Sequence, residues 1–347
     1  RVLKDTYIVT SIGTEILSFI KLWVEMPMGI LFVILYTKLC NIMTTEQVFR
    51  LVVGFFIAFF ALFAFVIYPN QSLLHPDIER VNELIEKLPH LKWWIMMWAN
   101  WSLVMFYTIA ELWPVIVFFL FFWQLANKAT RTEEAKRFYI YFGVFGQFNL
   151  IITGIIVSNL TSDSNVFESL FDQENTSSEL VLKSFTLIIV FSGLLCLFLQ
   201  RYVERTVIEE QKGIVEKGVR TDILKLSLRE STRMVFSSKY LAAICVLMIS
   251  YSTSVNLIEG LWMSRAKALF PTEKAFAGYQ GMVLQYTGYA TLFFILIGST
   301  ILRKLGWFAA AIMTPLMITI CGLSFFSFVL VEDYLNVLLP GILGFTP

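Results

Sequence analysis

Long apolar runs separated by short polar connections dominate the chain. About 20 apolar residues in helical form cross a bilayer core of ~30 Å, and each run is long enough to do so. A backbone in lipid must satisfy its own hydrogen bonds, and these runs are too long for the ~10-residue alternating strands of a barrel. The pattern predicts helices at 14–41, 46–68, 92–127, 136–158, 179–202, 236–262, 276–302 and 306–331.

The ends of the sequence are apolar too. Residues 1–12 are interpreted as the end of a helix that begins earlier, and residues 338–347 as the start of a later one. We therefore expect the sequence to be a fragment of a longer protein.

Composition supports a membrane protein. The chain is 57% hydrophobic and 15% charged, whereas an ordinary soluble domain is roughly 25% charged. Its 33 Phe residues outnumber its 27 Lys and Arg residues, and the formal net charge is +1. The sequence is predicted to be an all-α integral membrane protein, and its charge balance argues against binding nucleic acid.

Cysteine and histidine offer no sign of a metal or redox centre. Four cysteines lie in apolar runs without CxxC spacing and are expected to be small buried hydrophobes: Cys40, Cys196, Cys245 and Cys321. Both histidines, His75 and His90, fall in one polar connection. No catalytic residue, metal site or cofactor is predicted, and no phosphate-loop motif supports ATP hydrolysis.

Basic residues in the connections set the orientation. Residues 128–137, 201–233 and 303–304 are rich in Lys and Arg, whereas residues 159–179 contain five acids and no base. This alternation places the three basic connections in the cytoplasm.

One long charged connection divides the spans into two sets. Residues 201–233 contain eight basic and six acidic side chains, with six spans before them and at least three after. This is the layout of transporters built from two parallel halves. We predict an N-terminal half at 1–202, a cytoplasmic linker at 203–233 and a partial C-terminal half at 234–347.

Charged residues inside spans mark solute or ion pathways by default. Glu111 is the only charge between Lys92 and Lys128, which places it roughly 28 and 25 Å from the two flanks of a straight helix, near mid-membrane. Pro114 is expected to kink the helix beside it. Asn100 lies three turns earlier on nearly the same face. A structural alternative is a protonated Glu111 hydrogen-bonded between helices.

A second acid ends a long uncharged run. No charge separates Lys239 from Glu259, which follows Asn256 and precedes Arg265 and Lys267. Glu259 is therefore either deep in the membrane or an interfacial acid paired with Arg265.

Further charges cluster near the start of the chain. Lys21 precedes Glu25 by four positions, so the two side chains can pair on one helix face. Arg1, Lys4 and Asp5 are either ordinary helix-end charges or the rim of a cavity.

Together these side chains suit a multiply charged anion. Basic groups would bind phosphates, and carboxylates would hold the bases in place while the site is empty. The candidate phosphate ligands are Lys21, Lys4, Arg1, Arg265 and Lys267, and the candidate coupling or cavity residues are Glu111, Glu259, Asn100 and Asn256.

Several motifs resemble the non-mitochondrial ATP/ADP translocases, the nucleotide transporters of obligate intracellular bacteria and plastids. They are Phe19-Ile20-Lys21-Leu22-Trp23, Leu35-Tyr36-Thr37-Lys38-Leu39, Phe65-Val66-Ile67-Tyr68-Pro69, Leu74-His75-Pro76, Ala110-Glu111-Leu112-Trp113, Glu134-Ala135-Lys136-Arg137-Phe138-Tyr139, Asn256-Leu257-Ile258-Glu259, Gly306-Trp307 and Thr314-Pro315.

The resemblance covers nearly the whole chain. It implies a two-half helical transporter like the major facilitator superfamily, here reduced to about ten of twelve transmembrane helices. The family's functional Lys and Glu positions fall on Lys21, Glu111 and Glu259, and its charged run at the end of the first helix falls on Arg1, Lys4 and Asp5. It also implies a monomer in a bacterial inner membrane or a plastid inner envelope, with nucleotide and lipid as its partners.

Local departures leave the transport mode open. Pro114-Val115 stands where family members usually carry Gly-Ser, and Met263 where they typically carry Lys. ATP/ADP exchange is the leading hypothesis, and proton-coupled symport of nucleoside triphosphates or carriage of NAD is the alternative. An anion channel conflicts with the two-half layout, and a membrane-embedded transferase lacks an Asp/His cluster, so we do not expect an enzyme.

Overall fold

The computed structural model describes residues 2–130, 132–161, 177–208 and 237–331. These residues are helical and include no strand, which confirms the predicted all-α class. The main helices are α1 (Val2–Ser11), α2 (Ile16–Ile42), α3 (Thr45–Ile67), α4 (Ile78–Lys87), α5 (Lys92–Ala99), α6 (Trp101–Ala129), α7 (Thr132–Leu160), α8 (Ser177–Val203), α9 (Lys239–Leu269) and α10 (Glu273–Leu330). Within the described ranges, seven helical stretches are long and apolar enough to cross a membrane.

The helices follow the predicted spans with two differences. The predicted helix at 92–127 is broken at Asn100, whose φ of −113° and ψ of 35° separate α5 from α6. The two predicted helices at 276–302 and 306–331 form α10, which is interrupted at Gly306. The φ of 80° at Gly306 lies in the left-handed region, which glycine adopts without strain.

Some predictions concern residues beyond the described ranges. Most of the linker at 203–233 and of the acidic connection at 159–179 lies outside them, as do residues 338–347 and Arg1. The division into two halves and the orientation therefore stay predictions.

In the part of the chain that the structure describes, three helices contain a π-helical segment next to a proline. Proline lacks an N–H and cannot complete the usual hydrogen bond to the residue four positions earlier, so a neighbouring turn widens. At the first segment the amide of Met26 donates to the carbonyl of Lys21, five positions earlier. The segments and their prolines are Lys21–Glu25 with Pro27, Phe63–Ile67 with Pro69, and Val115–Phe122 with Pro114.

Local chemistry sets the turn between α1 and α2 and the start of α3. Gly13, with a φ of 132°, makes the turn between α1 and α2. Thr44 begins α3 through a capping box, since its hydroxyl accepts from the amide of Gln47 at 3.3 Å and its own amide donates to the Gln47 side chain at 3.0 Å.

Aromatic rings hold α1 between α3 and α6. Tyr7 of α1 is 2% exposed, and its ring lies 5.0 Å from that of Tyr68 and 6.2 Å from that of Phe106. Phe63 of α3 stacks on Phe106 of α6 with centroids 4.2 Å apart. These contacts fix the side chains of α1 against α6, where the candidate site lies.

The polar connection after α3 is tied to the start of α6. The Nε2 atom of His75 lies 2.8 Å from the Ser102 hydroxyl, and the Trp101 indole N–H donates to the Leu74 carbonyl at 3.3 Å. Burial lowers the pKa of His75, which favours the neutral ring.

Large apolar side chains cover the outer faces of the helices. Leu31, Phe145 and Phe191 are 55%, 67% and 69% exposed, as expected for surfaces that face lipid. The expectation of buried cysteines is wrong for three of the four, since Cys40, Cys245 and Cys321 are exposed and only Cys196 is half-buried. Small apolar side chains are as stable against lipid as in a protein interior, and the sequence pattern does not distinguish these two environments.

The described residues form two compact units. The first contains those of Arg1–Arg220 together with Met263–Thr291, and the second contains those of Thr221–Trp262 and Leu292–Pro347. The end of α9 and the first part of α10 therefore pack with the helices of the predicted N-terminal half.

Glycines bring α7 and α10 into backbone contact inside the first unit. A Cβ atom on Gly154 would lie 2.7 Å from both the Gln285 amide nitrogen and the Gly281 carbonyl oxygen. A Cβ atom on Gly281 would lie 2.6 Å from Val157. No side chain fits between the two backbones at this crossing.

We predict that Gly154→Ala destabilises the protein, because backbone atoms of α10 cannot move aside for the methyl group. Overpacking of this kind costs about 1–3 kcal/mol. Gly146→Ala on the same helix is the control, since its Cβ meets nothing within 4 Å and Ala favours a helix by about 0.5–1 kcal/mol. Thermal unfolding in detergent measures both, and equal stability of the two variants would contradict the contact.

Candidate functional site

A buried ammonium group lies at the centre of the candidate site. The Lys4 side chain is 4% exposed, and its Nζ atom lies 2.7 Å from Asp5 Oδ1 and 2.7 Å from Glu111 Oε2. The same nitrogen lies 4.2 Å from the centroid of the Tyr107 ring. A buried charge requires such compensation, because desolvating an unpaired ion costs at least several kcal/mol.

Two helices supply these groups. Lys4 and Asp5 are adjacent on α1, whereas Tyr107 and Glu111 are one turn apart on α6 and share a helix face. Glu111 is three residues before Pro114, and a π-helical segment follows that proline. The predicted distortion beside the carboxylate is therefore present as a widened turn.

The π-helical segment of α2 adds two more charges. Glu25 lies within electrostatic reach of Glu111, Lys21, Lys4 and Asp5. Its Oε2 atom is buried and has no hydrogen-bond partner among the residues that the structure describes. The predicted proximity of Lys21 and Glu25 is present, and both belong to the same charged cluster as Lys4.

The members of the cluster differ in accessibility. The Glu111 side chain is 31% exposed although its partner Lys4 is 4% exposed. Lys21 is half-buried. An anion approaching the cluster would therefore reach Lys21 and the partly exposed Glu111 before it reached Lys4.

Asn100 has a structural partner. Its side-chain amide donates to the Met96 carbonyl at 3.1 Å at the break between α5 and α6. The same carbonyl also accepts the backbone N–H of Asn100 at 3.1 Å, so both bonds close the last turn of α5. A role for Asn100 in a substrate cavity stays a prediction.

The remaining candidates lie on α9. Asn256 is exposed and donates to the Ser252 carbonyl at 2.8 Å, and Glu259 is half-buried in an unbroken part of the helix. Both belong to the second compact unit. Arg265 is exposed and Lys267 half-buried, and these two belong to the first unit. Their roles stay predictions.

Two contributors were not among the sequence candidates. Asp5 was expected only as a helix-end charge or part of a cavity rim, and Tyr107 only as one of several aromatic residues that could stack on a ring, yet both contact the Lys4 ammonium. The signal for Tyr107 was its spacing of four residues from Glu111, which puts both on one face of α6. That Lys4 would meet this face depends on the packing of α1, which no local pattern gives.

The chain matches a known family over its whole length. The family model described as TLC ATP/ADP transporter matches residues 1–347. No solved structure matches the chain.

Carriers from Rickettsia are similar to the chain. It is 39% identical over 350 residues to "ADP,ATP carrier protein 1" of Rickettsia bellii (strain RML369-C), covering 100% of this chain and 68% of that protein. It is 38% identical over 352 residues to the protein of the same name from Rickettsia prowazekii (strain Madrid E), with the same coverage. It is also 38% identical over 336 residues to "ADP,ATP carrier protein 3" of Rickettsia typhi (strain ATCC VR-144 / Wilmington), covering 95% of this chain and 67% of that protein.

Proposed function

The chain belongs to the TLC ATP/ADP transporter family, and on that premise we propose that it exchanges ATP for ADP by alternating access. Its relatives are ADP,ATP carrier proteins, and the described helices include seven stretches able to cross a membrane. The protein is a multi-pass transporter of a bacterial inner membrane. We also propose that it works as a monomer, without cofactor and without covalent chemistry.

One observation carries the proposal. A charged cluster of Lys4, Asp5 and Glu111, with Lys21 and Glu25 in electrostatic reach, lies among otherwise apolar helices. Such groups are costly in a membrane protein, and they are placed where a charged solute passes. A nucleotide has several phosphate charges, and ammonium groups suit them.

We assign the binding of the nucleotide phosphates first to Lys21, because it is the more accessible lysine of the cluster. Arg1, Arg265 and Lys267 are proposed to contribute to the same task. Glu111 and Glu259 are the proposed coupling groups, and Asn100 and Asn256 are the proposed cavity residues.

Exchange follows from how the bases are neutralised. In the empty site, carboxylates accompany the ammonium groups, and the phosphates of a bound nucleotide replace some of them. Reorientation of the empty site would have to break these ion pairs and leave buried charges unpaired, whereas bound phosphates keep the bases paired, so only a loaded site reorients. Uptake of one nucleotide is thereby tied to release of another.

We predict that vesicles containing the reconstituted protein take up labelled ATP only when they hold ADP inside. The measurement compares uptake into ADP-loaded and empty vesicles, with protein-free vesicles as the blank. We expect at least about a tenfold difference, the factor that corresponds to 1.4 kcal/mol. Equal uptake into empty vesicles would contradict obligatory exchange.

One observation favours proton-coupled symport as a second candidate. The Oε2 atom of Glu25 is buried without a hydrogen-bond partner among the described residues, so this carboxyl group is a candidate carrier of the coupled proton. Uptake into empty vesicles that rises with an inward proton gradient would establish symport in place of exchange.

We predict that Lys21→Ala raises the KM for ATP by about tenfold or more, because a charge-assisted hydrogen bond contributes about 1.5–3 kcal/mol.

We expect Glu111→Gln to lower the maximal exchange rate by about tenfold or more, because it removes the charge opposite Lys4. Initial rates of exchange across a range of ATP concentrations separate the two effects.

Matched controls come from one exposed ion pair. Lys87 and Glu83 are 72% and 69% exposed and 3.9 Å apart on α4. Lys87→Ala and Glu83→Gln should leave both kinetic constants within about twofold of the wild type, since exposed pairs contribute little. Wild-type kinetics in Lys21→Ala and Glu111→Gln would overturn the assignment of the site.

A further inference from the structure

We propose that Lys4 is a positioning residue for Glu111, fixed by Asp5 and Tyr107, and that its ammonium group does not bind the nucleotide. The inference rests on the proposed function, because it concerns how Glu111 serves nucleotide exchange. It replaces the expectation that Lys4 is one of the phosphate ligands.

Three groups enclose the Lys4 ammonium. Two carboxylate oxygens lie 2.7 Å from the Lys4 nitrogen, and an aromatic face lies 4.2 Å away. These three groups match the three N–H donors of an ammonium group. With 4% of the side chain exposed, a phosphate could bind Lys4 only after displacing a carboxylate from a closed pocket.

Glu111 and Lys4 differ in their accessibility. The Glu111 side chain is 31% exposed, whereas that of its partner Lys4 is 4% exposed. The accessible member of the pair is the acid. Lys4 therefore supplies a counter-charge from behind Glu111, and Lys21 is the cation that an incoming phosphate can reach.

Tyr107 holds the Lys4 ammonium through its aromatic face. Its side chain is 1% exposed, and its ring attracts the Lys4 ammonium without competing for the carboxylates, because the interaction uses the π face. Tyr107 and Glu111 are four residues apart on α6, so both lie on one face of that helix. From this face the ring and the carboxylate both contact the lysine. Asp5, the adjacent residue on α1, completes the arrangement.

A ligand and a positioning residue give different kinetics. Losing a phosphate ligand weakens binding of nucleotide, so the KM and the dissociation constant rise. Losing a residue that only orients Glu111 slows reorientation and leaves binding unchanged. Its effect also disappears once Glu111 no longer carries a charge.

The test is a double-mutant cycle of Lys4→Met and Glu111→Gln in the reconstituted protein. We expect Lys4→Met to lower the maximal exchange rate by about tenfold or more and to leave the KM for ATP within about twofold. In the Glu111→Gln background, adding Lys4→Met should change both constants by less than about twofold. Equilibrium binding of labelled ADP gives the affinity of variants too slow for transport measurements.

A second pair of variants keeps the charges of Lys4 and Glu111 in place. It remains informative even if the Lys4→Met variant does not fold. Tyr107→Leu removes the ring face and should lower the exchange rate by about fivefold with an unchanged KM, whereas Tyr107→Phe keeps the face and should restore most of the rate. Tyr141→Leu is the control, because Tyr141 is 59% exposed on α7.

The outcomes separate the two proposals. An increase of about tenfold in KM for Lys4→Met in both backgrounds would identify a phosphate ligand and overturn the inference, as would equal rates for Tyr107→Leu and Tyr107→Phe. In both cases wild-type exchange remains normal and the proposed function stands. A wild-type protein that moves no nucleotide would overturn the proposed function, and the inference would fall with it.

Discussion

A lysine ammonium group stays charged among apolar helices only if negative groups surround it, and this requirement organises the described part of the site. Asp5 comes from the same helix as Lys4, but Glu111 comes from α6, so the charge can be compensated only when α1 and α6 pack together. The aromatic contacts of Tyr7 and Phe106 lie along the same helix pair. Apolar packing and charge compensation therefore select the same arrangement.

Proline contributes in a less direct way. Pro27 and Pro114 each remove a backbone hydrogen bond, and the helices respond with widened turns at Lys21–Glu25 and Val115–Phe122. One widened turn carries Lys21 and Glu25, and the other starts four residues after Glu111. π-Helical turns of this kind are frequent at functional sites.

Much of the architecture was predictable from the sequence because membrane helices are long and uniformly apolar. The depth of Glu111 stays a prediction, because it was counted along one straight helix between Lys92 and Lys128, and that helix is broken at Asn100. The partnership of Lys4 with Glu111 was not predictable, since it depends on which faces of α1 and α6 meet. The break at Asn100 was missed because asparagine between apolar residues does not by itself indicate a helix end, and its cap on Met96 is visible only in the structure.

The crossing of α7 and α10 at Gly154 and Gly281 bears on how easily these helices separate. Their contact is made by main-chain atoms and by the flanks of a few side chains such as Val157. Glycine has no rotamers to lose, so joining the helices there orders few torsion angles and parting them frees few. The conformational entropy of the side chains is therefore nearly the same whether the helices are joined or apart, and the crossing can open and re-form with little reordering of side chains.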